Sequence, residues 1–263
     1  MACDLVGAAG TVRLMTSISG PAYGTYLDFA SPLSQPRADR IVRYLATTRP
    51  TTVLDIGCGW GELLLQILAA SPEASGVGVD TDQPDVERGR SNALERGLAD
   101  RVTFIEGPGA DHSTPADVVM CIGASHAYGD IPTALRALKP LVNPGGRLLF
   151  AEGFWEHPPS DAELGRLWPD ASAAEYSDLA GLVAQTVDAG YQPLWIESVS
   201  RDEWDQFESG HLADQAHWLL EHGDTEDAPK VRQRYEAHRT RWLTGTRELL
   251  GFAYLTLGIP AER

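Results

Sequence analysis

The stretch Val53-Leu54-Asp55-Ile56-Gly57-Cys58-Gly59-Trp60-Gly61-Glu62 decides the fold. The run from Thr51 to Ile56 is short, apolar and rich in β-branched residues, which predicts a strand. Gly61 to Ala70 (GELLLQILAA) carries strong helix formers, which predicts a helix. The glycines therefore fall in a strand-to-helix turn. Without Cβ atoms, Gly57, Gly59 and Gly61 are free to take positive φ and to leave bare backbone beside the donor-rich N-terminus of the helix. A ligand can lie directly against that corner.

A similar turn, G-x-G-x-x-G, follows the first strand of dinucleotide-binding enzymes, so its surroundings must discriminate. Here the third glycine comes one residue earlier, and Asp55 stands two residues before the first. Asp80 ends the next apolar run, SGVGVD. An acid at the end of a second strand, about 20 residues beyond the turn, is placed to accept hydrogen bonds from ribose hydroxyls. With D-x-G-x-G-x-G and Asp80 together, the chain resembles class I S-adenosylmethionine (SAM)-dependent methyltransferases over about residues 30–200.

That resemblance implies an α/β fold: a Rossmann-like, seven-stranded, mostly parallel sheet with helices on both faces and helical lid insertions. It implies SAM as cofactor, held by Asp55, Gly57, Cys58, Gly59, Gly61, Asp80, Thr81, Asp111, Ile122 and Gly123. Asp55 would organise the turn and the methionine ammonium, and Asp80 would hold the ribose, the plain alternative being an N-cap for the next helix. After the third strand such enzymes carry an acid for the adenine amino group. Here Pro108 takes that place, so the contact falls to Asp111 or to the backbone of Gly109-Ala110.

Composition narrows the partners. The 263 residues suffice for one α/β domain with an added cap, and 43% hydrophobic residues can build its core. With 21 basic against 37 acidic side chains, the charge of −16 argues against nucleic acid and for a small-molecule acceptor. Cys3, Cys58 and Cys121 are far apart and odd in number, so neither a disulfide frame nor a zinc site is indicated. The histidines lack metal-site spacing, and no metal is expected. No segment approaches about 18 uninterrupted apolar residues, which predicts no membrane span and a cytoplasmic protein. A homodimer is left open.

Residues 1–33 are read as an N-terminal lid segment, and 34–263 as the methyltransferase domain with lid insertions at about 153–174 and 201–247. Ser34 and Pro36 signal the first helix, and a further helix is predicted from Ile131 to Leu141. Further strands are predicted at Ser75–Asp80, Arg101–Glu106, Ala116–Ile122, Gly145–Glu152, Pro193–Ser200 and Leu249–Leu257, the last antiparallel on the strength of the resemblance. Strands alternating with helices imply right-handed crossovers and a ligand crevice at the carboxyl edge.

Methyl transfer is an in-line displacement that needs alignment, exclusion of water and, for a protonated nucleophile, a base. His126, in Gly123-Ala124-Ser125-His126 just after the fourth strand, is the first candidate base, and Glu152 the second. Their bland alternatives are loop hydrogen bonding and anchoring of the glycine turn. Tyr23, Arg37, His126, Phe154 and Trp155 are the candidate acceptor-binding residues, with ordinary packing the alternative for the aromatics and a carboxylate partner for Arg37. The expected activity is methyl transfer to oxygen, nitrogen or carbon of a small metabolite. A non-methylating SAM enzyme of the same fold, an NAD(P)-dependent oxidoreductase and a non-catalytic binding protein are the rivals.

Overall fold

β1 (Thr52–Ile56) is buried along nearly its whole length, as an apolar strand with neighbours on both sides must be. The computed structural model describes residues 20–21 and 23–259 of the chain; Cys3 and residues 1–19 of the predicted lid segment lie outside them. α1 (Gln35–Thr47) precedes β1, with Ser34 at its N-cap and a proline in the first turn, as its signals predict. Then follow α2 (Glu62–Ala70), β2 (Ser75–Asp80), α3 (Gln83–Glu95), β3 (Val102–Glu106), β4 (Ala116–Ile122) and α4 (Ile131–Leu138). The second half adds β5 (Val142–Trp155), α5 (Asp161–Leu164), α6 (Leu179–Asp188), β6 (Gln192–Ser198), α7 (Arg201–His222), α8 (Ala228–Arg241), α9 (Arg247–Leu249) and β7 (Leu250–Gly258).

The strands form one seven-stranded sheet in the order β3-β2-β1-β4-β5-β7-β6. β1 pairs in parallel with β2 and β4, and β7 runs antiparallel between β5 and β6. One core joins α1, α2 and α3 to a sheet face through Leu45, Leu64, Leu68, Val86 and Phe104. The other joins α4 and α6 to the opposite face through Leu135, Leu138, Leu182 and Phe150. The predicted fold class is the observed one. Since the chain leaves β1 for β2 on one side and returns through β4 on the other, the carboxyl edge opens a crevice above β1.

Two local differences have physical reasons. The helix predicted to run from Ile131 to Leu141 ends at Leu138 and tightens into a 3₁₀ turn at Lys139–Leu141, where Pro140 has no amide to continue the ladder. β5 continues three residues past Glu152, because β7 pairs with it as far as Trp155 opposite Leu250. Phe154 and Trp155 therefore lie inside the sheet. α7 begins with a reciprocal capping box between Ser200 and Glu203, which sets its first turn. After α8 the chain makes a π-helical turn at Trp242–Thr246 before α9 and β7.

Candidate active site

The glycine turn is built by backbone geometry. Gly57 has φ of 70°, and a Cβ there would stand 2.4 Å from that of Ala124. Its N–H and that of Cys58 donate to the carbonyl of Val79, at 2.8 and 3.1 Å, locking the turn to the end of β2. Asp80 completes the lock: Oδ2 accepts from the Gly59 N–H at 2.8 Å and Oδ1 from the Asp82 N–H at 2.9 Å. Asp82 in turn caps α3, its side chain accepting from the Asp85 N–H. The N-cap role expected as the alternative for Asp80 thus falls to Asp82.

Above this floor lies a crevice of about 160 Å³ lined by Gly57, Gly59, Asp80, Thr81, Ile122 and Gly123 from the predicted cofactor set. Asp55, Cys58 and Gly61 line a narrower pocket of about 30 Å³ beside it. Burial, and then the charge of Asp80, push the Asp55 carboxyl up to about 8. Asp111 is exposed in a 3₁₀ turn and lines neither space, whereas Pro108 and Gly109 line the larger. From Glu106 to His112, no acidic side chain lines either space.

His126 lines the crevice on an exposed turn. Glu152 lies beneath that turn, 4% exposed, accepting from Ser125 Oγ at 2.5 Å and from the Gly153 N–H at 2.9 Å. Burial raises its pKa, and the hydrogen bonds oppose the shift. The geometry makes Glu152 an anchor for the turn that carries His126.

Tyr23 lines the crevice from the leader segment. That segment is tied down on two sides. Trp60 Nε1 donates to the Asp28 carbonyl at 3.0 Å, and the Arg88 guanidinium lies 4.0 Å over the Trp60 ring while donating to the Gly24 carbonyl. On the other side Tyr23 packs on His211 and Tyr26 on His217, both from α7.

The remaining three predicted acceptor residues do not line the crevice. Arg37 is buried in a bidentate pair with Glu203, at 2.9 and 2.8 Å, and a further bridge to Glu197 at 3.2 Å. Phe154 belongs to the core under α4 and α6. Trp155 stacks on Trp168 with ring centres 6.2 Å apart and meets Tyr176 edge-on.

Asp85 is the acid that sequence reasoning passed over. It is 6% exposed, lines the crevice, and burial followed by Asp82 raises its pKa to about 6. Its signal was the spacing Asp80, Asp82, Asp85, which puts a third carboxylate one helical turn into α3. Among the described residues no cluster of metal-ligating side chains is found, and no helix is long and apolar enough to cross a membrane.

Known proteins resemble this chain in sequence and fold. The sequence profile of a methyltransferase domain matches residues 54–148. The protein YjhP of Escherichia coli (strain K12) is 27% identical over 229 residues, 86% of this chain and 92% of its own. The structure of a SAM-dependent methyltransferase from Geobacter sulfurreducens in complex with S-adenosyl-L-homocysteine superposes with a TM-score of 0.79 at 28% identity, covering 86% of this chain and 92% of that one. The 27-O-demethylrifamycin SV methyltransferase of Amycolatopsis mediterranei (strain S699) is 30% identical over 172 residues, 62% of each chain. The chain thus carries a methyltransferase domain and shares the fold of the class I SAM-dependent methyltransferases.

Proposed function

We propose that the crevice holds SAM and that the protein transfers its methyl group to an oxygen, nitrogen or carbon of a small-molecule acceptor. The observation that carries this reading is the Asp80–Gly59 lock at the floor of a crevice lined by the glycine turn and the ends of β2 and β4. A carboxylate has about four lone-pair directions, so Asp80 can serve the backbone and also take ribose hydroxyls. Backbone at Pro108 and Gly109 faces the adenine, and Asp55 meets the ammonium at the narrow end. When bound, the sulfonium supplies a methyl carbon open to in-line displacement.

The chain's own groups do the rest. Residues 23–33 cover the crevice and exclude water. His126 takes the proton of the attacking group, and Glu152 positions His126 through Ser125. The rifamycin methyltransferase relative acts, by its name, on a small molecule, which favours that acceptor class here. Cys58 and Cys121, free and buried, suit a reducing compartment such as the cytoplasm.

The test incubates the protein with SAM and a panel of hydroxyl, amine and carbon acceptors and follows S-adenosylhomocysteine (SAH) by mass spectrometry. For an acceptor that reacts, His126→Ala is expected to lower turnover by about 100-fold or more while leaving SAH affinity intact. Unchanged turnover removes His126 from the mechanism.

A further inference from the structure

Asp85 stands in the first turn of α3, is 6% exposed, and lines the donor crevice. Unlike a core group it borders open space, about 160 Å³ of it. Gly59 ties this acid to the floor of the site. The Gly59 N–H is held by Asp80 at 2.8 Å, and a Cβ on Gly59 would lie 3.8 Å from Asp85 Oδ2. Two carboxylates thus flank one bare glycine, and a ligand lying against that glycine comes within reach of both.

Asp80, Asp82 and Asp85 crowd three carboxylates into six positions, where they repel one another. Backbone relieves two of them. Asp80 accepts from the amides of Gly59 and Asp82, and Asp82 accepts from the amide of Asp85. Among the described residues the Asp85 carboxylate has no hydrogen bond or ion pair. Arg88, one helical turn on, would be its natural counter-ion, but that guanidinium is turned to the leader segment. It donates to the carbonyls of Gly24 and Leu27 at 3.0 and 3.4 Å and lies over the Trp60 ring. A buried acid kept without a partner, on the wall of a cavity with room for one, is the pattern of a binding residue.

The chemistry of the ligand group follows. Burial and then Asp82 raise the Asp85 pKa to about 6, so at pH 7.5 the group is ionised and its oxygens only accept. Its ligand must therefore donate. The donor's ammonium belongs with Asp55 in the narrower pocket, whereas its sugar belongs beside Asp80 and Gly59. A ribose offers two vicinal hydroxyls, and two separate carboxylates match them.

We propose that Asp85 is a second sugar-binding carboxylate, accepting from one ribose hydroxyl of the donor while Asp80 accepts from the other, so that the site selects a nucleoside whose vicinal diol is intact. The inference rests on the donor reading given above, and deepens it by assigning Asp85 and the sugar that the site demands.

The test is calorimetry on the full chain at pH 7.5, with SAH directly and with adenosine, 2′-deoxyadenosine and 3′-deoxyadenosine in competition against it. The parent should bind each deoxy compound at least ten times more weakly than adenosine. Asp85→Ala should weaken SAH and adenosine at least tenfold. In that variant the penalty for one deoxy compound should shrink below threefold while the other persists, a pattern that a merely structural role would not produce. If Asp85→Ala does not fold, the isosteric Asp85→Asn carries the comparison and should weaken SAH at least threefold. SAH affinity within twofold of the parent in the folded variant, both penalties unchanged in it, or a parent that takes either deoxy compound as well as adenosine overturns the proposal. If the parent binds SAH in those cases, the donor reading stands and only Asp85 loses its role; if the parent does not bind SAH, both fall.

Discussion

Arg37 grips Glu203 through both prongs of its guanidinium, Nε to Oε1 at 2.9 Å and Nη2 to Oε2 at 2.8 Å, and so joins α1 to the first turn of α7. The pair is buried, and its remaining capacity is used: Ser34 Oγ and the Ser200 N–H also donate to Glu203, and Arg37 donates to the Ser198 carbonyl. Removing one partner leaves an uncompensated buried charge. Arg37→Ala is expected to cost about 3 kcal/mol of stability, read as a fall in Tm of roughly 5–10 °C, with SAH affinity within about twofold of the parent. A loss of SAH binding in a variant that still melts cooperatively would instead place Arg37 in the donor site.

The same pair sets an acid limit. Burial alone would raise the Glu203 pKa, but Arg37 and the donors from Ser200 and Ser34 prevail and hold it at about 2. A carboxylate whose folded pKa lies below its unfolded value adds stability that is complete above the unfolded pKa and is lost as pH falls toward the folded one. The contribution of Glu203 should therefore be full above pH ~5 and fade between about 4.5 and 2. Comparing the urea midpoints of the parent and Glu203→Gln from pH 7 to pH 3 checks it: the gap between them should narrow toward acid.

How far the sequence discloses this protein depends on how local each signal is. The glycine turn, Asp55 and Asp80 sit within 26 positions of one another, and strand-to-helix chemistry at that range is legible from residue types alone. Arg37 is not, because the carboxylate that engages it lies 166 positions away. Phe154 and Trp155 read as pocket walls since they follow a strand-ending acid, yet β7 arrives nearly a hundred residues later to extend the strand through them. His211 carries no local sign of its packing, which comes from the leader segment folding back onto α7.

Gly61 shows the steric side of the turn. It begins α2 at φ of 65°, and a Cβ would come within 2.4 Å of Phe104 Cε1. Gly61→Ala therefore meets both a left-handed backbone and a ring packed in the core. The expected cost is about 2–4 kcal/mol, visible as a lower urea midpoint with an unchanged m-value. A variant as stable as the parent would mean that Phe104 yields at no cost.

Asp55 links donor binding to protons. With its pKa raised to about 8, it is mostly protonated at pH 7, and an ammonium brought beside it favours the carboxylate. SAH binding at pH 7 should thus release a proton, up to about one per site, so that the calorimetric heat differs between phosphate and Tris buffers by their ionisation enthalpies. Asp55→Asn should abolish the difference. The sign for folding is opposite to that of Glu203: an acid raised on folding adds stability at low pH that is lost as pH rises from about 4 toward 8. Equal heats in the two buffers would dissociate Asp55 from the ammonium.

The most direct measurement is a calorimetric titration of the full chain and of Asp80→Ala with SAH. The parent should bind at one site, and Asp80→Ala, which strips the Gly59 and Asp82 amides of their acceptor and the ribose of its partner, should weaken binding by about 10- to 100-fold while keeping its cooperative melt. No heat with the parent, or undiminished affinity in Asp80→Ala, would contradict the claim that the glycine turn and Asp80 hold one nucleoside between them.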